Sequence, residues 1–136
     1  PNIYEKGNTM QTDIGKLLIR VMVGGLMLFH GIGKLSHGID FVKGTLLAKG
    51  LPEMIAYGVY VGEVIAPLML LIGFKSRIAG AIIAFNMIMA LFLVHSNELL
   101  RISDTGGLTI ELQLFYLCSS IAIILLGSGK YAIKRD

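Results

Sequence analysis

Residues 26–38 read LMLFHGIGKLSHG, and this stretch decides how the rest of the chain is interpreted. A continuous apolar run begins at Val21, ends at Phe29, and then meets His30, two glycines, Lys34 and a second histidine. A transmembrane helix needs about 20 predominantly apolar residues. The stretch therefore predicts the end of a membrane-buried helix. It also raises the question of whether His30 and Lys34 only mark where that helix meets water or belong to a site.

The composition of the whole chain favours a bilayer over water. Hydrophobic residues make up 54% of its 136 residues and charged ones 15%, against roughly 25% charged in soluble domains, and the mean hydropathy is +0.74. A single domain of this size has too little interior to bury so much apolar surface. The cations are scattered, whereas a nucleic-acid surface needs a concentrated basic stripe. We therefore predict an integral membrane protein that contacts lipid and binds no nucleic acid.

Four segments are long and apolar enough, or nearly so, to cross a membrane: residues 14–33, 55–74, 78–95 and 108–126. Strands are implausible because an open sheet edge cannot lie in lipid and four spans cannot close a barrel. In the first loop, Ile39, Val42 and Leu46 share a helical face, which predicts a short interfacial helix. The predicted fold is all-α, an up-down-up-down bundle of four transmembrane helices.

Polar tails flank this predicted bundle. Residues 1–13 form the N-terminal tail, 14–133 the helical domain and 134–136 the C-terminal tail. Residues 1–12 are polar, so we expect no cleavable signal peptide, and Met10 is a candidate natural start.

The cations predict the orientation of the bundle. Eight lie on the side of the termini and the second loop, and four on the other: Lys6, Lys16, Arg20, Lys75, Arg77, Lys130, Lys134 and Arg135 against Lys34, Lys43, Lys49 and Arg101. The positive-inside rule therefore predicts cytoplasmic termini in a cytoplasmic membrane.

Each predicted span contributes an ionisable residue to the same outer half: His30, Glu63, His95 and Glu111. Such groups cost about 2.5–3.5 kcal/mol each at a helix centre, which makes them functional candidates. Glu63 is the deepest, roughly 10–12 Å into its helix at 1.5 Å per residue. It must be neutral or paired, and we expect its partner to be His30, His95 or Lys34. The convergence predicts an outward-facing polar pocket.

Plainer interpretations stay open for most of these residues. His30, Lys34 and His95 are also typical of helix ends at the membrane surface. Glu111 could be a first-turn carboxylate favoured by the helix dipole. Arg20 could be a cation that reaches the headgroups.

Metal, redox and dimer roles receive weaker support. Neither Glu-x-x-His nor His-x-x-x-His spacing is present, so no metal site is predicted. Cys118, the single cysteine, is more typical of packing than of redox chemistry. The pattern of residues 58–62, GVYVG, is typical of close helix contact. It favours contact within one chain over a homodimer face, which stays open.

Several motifs together resemble the DoxX family of small four-span membrane proteins over residues 13–133. They are Arg20 followed by FHGIGKL (29–35), GEVIAPLMLLIGFKSR (62–77), His95, ELQLFYL (111–117) and GSGKYAI (127–133). The family is named for a small subunit of a sulfur-metabolising, quinone-linked oxidoreductase, and many members have no assigned activity. The resemblance therefore implies the fold more strongly than the chemistry. The chain departs from the family pattern at Ala66-Pro67, where Pro67 would free the carbonyl of Glu63 from its helix bond.

The leading functional hypothesis is a membrane component of a redox system that binds a quinone or similar amphiphile, with an oxidoreductase as partner. His30 and His95 would donate hydrogen bonds, Glu63 and Glu111 would accept protons, and Lys34 would stabilise a reduced oxygen. Further candidates for the quinone or lipid pocket are Arg20, Tyr60 and Cys118.

Two other classes of function stay open. The sequence has no haem attachment motif, cysteine cluster or nucleotide-binding fingerprint, so electrons would have to come from a partner or a bound cofactor. A non-enzymatic scaffold would explain the missing redox centre. A transporter or proton relay would need a polar path across the inner half, for which Arg20 and Asn86 are the candidates.

Overall fold

The computed structural model describes residues 3–136, with the side chains of residues 9–136, and this part of the chain is helical as predicted. We number five helices in chain order: α1 (Ile3–His37), α2 (Asp40–Ala48), α3 (Glu53–Ile72), α4 (Ser76–Leu93) and α5 (Glu111–Leu126). The described residues form no β-strand, and a single bridge joins Ile102 to Leu108 in the loop before α5.

Three helices are long and apolar enough to cross a membrane: Thr9–His37 within α1, Glu53–Ile72 and Ser76–Leu93. The fourth predicted span is shorter than expected, because α5 begins at Glu111 and has 16 residues. At 1.5 Å per residue it is about 24 Å long, less than the ~30 Å hydrocarbon core. Three candidate spans are therefore established, and a crossing by α5 stays a prediction.

Residues 26–37, which include His30 and Lys34, lie inside α1. We expected the first helix to end near Gly33, but it continues to His37. It stops where Gly38 takes a φ of +85°, a left-handed conformation that favours glycine. His30 and Lys34 therefore lie on consecutive turns of one continuous helix, and their side chains hold fixed positions relative to its neighbours.

The helix α3 is irregular, and its irregularity lies at Glu63. It begins as a 3₁₀ turn over Glu53–Tyr57, passes through a π-turn over Val61–Ile65 and continues as an α-helix over Ala66–Ile72. Pro67 has no N–H to donate to the carbonyl of Glu63, and such a gap in the bonding ladder suits a widened turn. Single π-turns in α-helices occur frequently at functional sites.

Two glycines let neighbouring helices approach α3 around this turn. A Cβ at Gly31 of α1 would overlap the backbone carbonyl of Glu63, and a Cβ at Gly62 would lie 2.8 Å from the side chain of Asn86 on α4. Only glycine permits these approaches without a shift of the backbone at Gly31 or of the Asn86 side chain at Gly62. The helices α1 and α4 are thereby drawn against α3 at the level of Glu63.

The helix in the first loop packs over one end of the bundle. Ile39 and Leu46, from its predicted apolar face, are buried together with Ala56, and Val42 packs against them. This face meets protein, and a position of α2 at the membrane surface stays a prediction. The larger apolar core lies deeper between the other helices and includes Val23, Met27, Leu70, Ile83, Met87 and Ile123.

The opposite end of the bundle is closed by the C-terminal segment, residues 127–136. Arg20, only 1% exposed, donates from Nε to the carbonyl of Leu70 (3.0 Å) and from Nη1 to those of Ser128 (2.9 Å) and Tyr131 (2.7 Å). The hydroxyl of Ser128 donates to Asp136 Oδ1 at 2.5 Å, and its oxygen lies 2.7 Å from Ser76 Oγ. We call this arrangement the C-terminal clasp.

Candidate functional site

Glu63 is the centre of the polar cluster at the Lys34 end of the bundle. It is 5% exposed; its Oε1 accepts a hydrogen bond from Lys34 Nζ at 2.6 Å and its Oε2 one from Asn86 Nδ2 at 3.2 Å. The predicted internal pairing of Glu63 is confirmed, with Lys34 as the partner. Each carboxylate oxygen has a partner, so the buried charge is both neutralised and hydrogen-bonded.

Lys34 connects this buried carboxylate to more open space. Its side chain is 31% exposed and it lies one turn after Gly31, where α1 touches the backbone of α3. The hydroxyl of Tyr60 donates a long hydrogen bond of 3.5 Å to the carbonyl of Lys34. An ammonium group has three N–H donors, so Lys34 can hold Glu63 and still donate to a further group.

A cavity of about 270 Å³ lies beside this pair. Its walls are mainly apolar and include Met27, Val42, Val59, Met87 and Leu93. Eight polar side chains also line it: His30, Lys34, Thr45, Glu63, Asn86, His95, Gln113 and Tyr116. An apolar chamber with a few convergent polar groups is typical of a small-molecule site.

His30 lines the cavity without joining the carboxylate. Its ring stands edge-on to Tyr116, with centroids 6.0 Å apart and planes at 84°. The expected hydrogen bond from His30 to Glu63 or Glu111 is not formed among the described residues. The ring of His30 instead packs against Tyr116, and the donors that Glu63 needs come from Lys34 and Asn86.

His95 forms a second polar group in the cavity wall. Its Nδ1 lies 3.2 Å from Glu98 Oε2 and its Nε2 lies 3.4 Å from Gln113 Nε2. A carboxylate on Nδ1 makes that nitrogen the donor, so Nε2 of the neutral ring accepts from the amide of Gln113. Gln113 Oε1 is buried and accepts no hydrogen bond within the described part of the chain.

The structure does not bring every predicted site residue to the cavity. Glu111 is exposed in the first turn of α5, with its carboxylate beside Gly107, which fits the plainer interpretation. Cys118 is exposed and lies outside the cavity lining.

Tyr60 contacts the backbone of Lys34 but does not line the cavity. Arg20 lies in the C-terminal clasp, where backbone carbonyls take its donors.

Asn86 is the residue whose position sequence reasoning missed. It was a candidate for a polar path across the inner half, and the structure instead bonds it to Glu63. A usable signal was depth, because Asn86 lies seven residues before the end of α4 at Leu93. That is about 10 Å at 1.5 Å per residue, similar to the depth of Glu63.

The described side chains offer no group of three or more His, Cys, Asp or Glu residues that could hold a metal ion. The polar groups at the cavity are instead hydrogen-bonding and proton-exchanging ones, suited to an organic ligand.

Comparison with known proteins adds two matches. The sequence profile of the DoxX family matches residues 15–96, a range that contains Lys34, Glu63, Asn86 and His95. A protein of Bacillus subtilis (strain 168) described as "Putative oxidoreductase CatD" is 30% identical over 121 residues, which cover 89% of this chain and 85% of that protein. No solved structure matches the chain.

Proposed function

The chain belongs to the DoxX family of membrane proteins, and from that premise we propose that it is a membrane component of a redox system whose cavity holds the head group of a quinone or similar amphiphile. The observation that carries the proposal is the Glu63–Lys34–Asn86 cluster beside an apolar cavity of about 270 Å³. The description of the Bacillus subtilis relative as an oxidoreductase supports the same class of function.

The size of the cavity favours a head group over a complete amphiphile. Ligand pockets for drug-sized molecules enclose about 300–1,000 Å³, and this cavity is slightly smaller. Its polar groups are collected on few side chains, whereas its remaining walls are apolar. A flat ring with one or two oxygens would find donors at Lys34 and His30 and apolar contact with Met27 and Met87.

The chemistry that these residues support is proton exchange. Quinone reduction consumes protons as well as electrons, and Glu63 and Lys34 form an ion pair that can pass a proton to a bound oxygen. Preorganised positive charge at Lys34 would also stabilise a reduced oxygen. Electrons would be delivered by an oxidoreductase partner.

Quinone binding to the purified chain in lipid nanodiscs tests the proposal. We expect saturable binding of a short-tailed benzoquinone by equilibrium dialysis. Asn86→Leu, which removes one partner of Glu63, and Glu63→Gln, which removes the charge, should each weaken binding by about tenfold or more, or about 1.4 kcal/mol.

The matched control is Glu111→Gln, an exposed carboxylate at the same end of the bundle but outside the cavity, which should bind as wild type does. Circular dichroism and gel filtration establish that each variant is folded. Absence of saturable binding to the wild type, or equal binding to Glu63→Gln, would refute the proposal.

We also propose that α5 crosses the membrane as the fourth span, that α2 lies at its surface, and that both termini face the cytoplasm. The cation distribution supports this orientation. In a Cys118→Ser background, an impermeant thiol reagent on intact cells should label cysteines placed at 43 or 101. Labelling at 75 or 134 instead would reverse the orientation.

A further inference from the structure

A second cavity, of about 470 Å³, adjoins the one beside Glu63. The two cavities share five wall residues: Val42, Val59, Asn86, Met89 and Leu93. The side chains of these residues therefore separate the cavity beside Glu63 from the second, larger cavity. We call this second cavity the groove.

The groove is apolar and lies at the molecular surface. Its other walls include Leu46, Ile55, Val61, Ile82 and Phe85. Asn86 is the one polar side chain among the described residues that line it, and its amide is bonded to Glu63. Ile55 and Phe85 on its rim are 46% and 64% exposed. Both belong to candidate membrane spans, so the groove opens towards the hydrocarbon of a bilayer.

We propose that the groove is the subsite for the hydrocarbon tail of the amphiphile whose head group lies beside Glu63. The ligand class is then a lipid-soluble molecule with a compact hydrogen-bonding head and one long apolar chain, which enters sideways between α3 and α4. The proposal rests on the proposed function for the head-group half of the site. The reason for choosing this occupant is that the two cavities are adjacent and share five wall residues, so a ligand with its head in one has its tail beside the other.

Gly58 is the residue that keeps the groove open. It lines the groove, its φ is −60°, and a Cβ added there would meet no atom within 4 Å. Gly62, one turn later, differs because a Cβ there would meet Asn86 at 2.8 Å. The two glycines of GVYVG thus have separate roles: Gly62 lets α4 approach, and Gly58 leaves space that a tail can occupy.

Gly58→Leu tests this assignment because its Cβ meets no neighbour within 4 Å and the leucine side chain adds bulk to the wall of the groove. Two benzoquinones with the same head group are compared in nanodiscs, one without a tail and one with a long isoprenoid tail. In the wild type the long-tailed compound should bind more tightly, after correction for its partition into lipid. In Gly58→Leu its affinity should fall by about tenfold, whereas the tail-less compound should bind as before.

The control variant is Gly15→Leu, since a Cβ at Gly15 also meets no atom within 4 Å and Gly15 lines neither cavity. It should bind both compounds as wild type does. Unchanged long-tail affinity in Gly58→Leu, or equal loss of both compounds, would overturn the tail subsite and leave the proposed head-group site standing. Failure of the wild type to bind either compound would refute both.

A photoreactive group at the end of the tail gives a second measurement that needs no variant. Cross-links should fall on residues that line the groove, such as Ile55, Val61, Ile82 and Phe85. Cross-links spread evenly over the outer faces of the helices would indicate bulk lipid as the surroundings of the tail and would overturn the proposal.

Discussion

The two ends of the bundle each contain a buried charged side chain, and they differ in what surrounds it. At the clasp end, Arg20 donates to three backbone carbonyls, from Leu70, Ser128 and Tyr131. At the other end, Glu63 holds Lys34 and Asn86 beside a cavity. Arg20 is the more deeply buried of the two charges. Burial of a charge in a membrane helix is therefore not enough to indicate a ligand site; adjoining space and a partner with spare donors are needed as well.

The largest effect is expected from breaking the clasp with Arg20→Ala. The carbonyl of Leu70 would keep the N–H of Gly73 as a donor, but those of Ser128 and Tyr131 would lose the guanidinium. An unsatisfied buried group costs about 1–3 kcal/mol, so unfolding should become easier by about 2 kcal/mol or more. Thermal unfolding in detergent measures this change. Arg135→Ala, whose side chain is 64% exposed, should shift stability by less than about 0.5 kcal/mol. Wild-type stability in Arg20→Ala would show that the clasp does not hold the bundle closed.

A smaller effect on stability is expected at the Glu63 end. Lys34→Met leaves Glu63 buried with only Asn86 as a partner, and because Lys34 is 31% exposed, the cost should be about 1–2 kcal/mol, less than for a fully buried pair. Adding Glu63→Gln should recover part of this loss, since the uncompensated charge is gone. A double-mutant cycle on the unfolding free energy measures the coupling. Strict additivity would mean that the ion pair contributes nothing.

The smallest expected effect is a pH dependence of the clasp. Burial raises the pKa of Asp136, but hydrogen bonds from Ser128 and the backbone of Arg77, together with the charge of Arg77, outweigh it and hold this pKa below its ordinary value. The contribution is therefore present above the ordinary Asp pKa and is lost as the pH falls through the lowered one. Because Asp136 is exposed, solvent screening keeps its contribution to the unfolding free energy below about 1 kcal/mol.

Asp136→Asn is the variant that checks this pH dependence. Its melting temperature should fall less steeply than that of the wild type as the pH is lowered below about 4, the ordinary Asp range. Asp104→Asn, in the exposed loop before α5, serves as the control and should follow the wild type. Parallel curves for Asp136→Asn and the wild type would contradict an ionised Asp136 in the clasp.

Local pattern predicted the helices well and their ends less well. The apolar runs correctly predicted three candidate spans, because the length and hydropathy of one segment are enough to identify such a span. The end of the first helix was predicted four residues too early, near Gly33 instead of His37, because glycine inside a helix weakens it without stopping it. The left-handed conformation of Gly38, which does stop it, depends on the chain that follows.

By itself, the sequence determined that Glu63 has an internal partner, because a carboxylate at that depth is too costly to leave facing lipid. Tertiary structure decided that the partners are Lys34 and Asn86, not histidine, and that Arg20 serves the clasp. Position along a helix follows from residue counting, but the direction a side chain faces depends on how helices meet. The π-turn in α3 and the close approach at Gly31 set that direction here, through contacts between residues far apart in the chain.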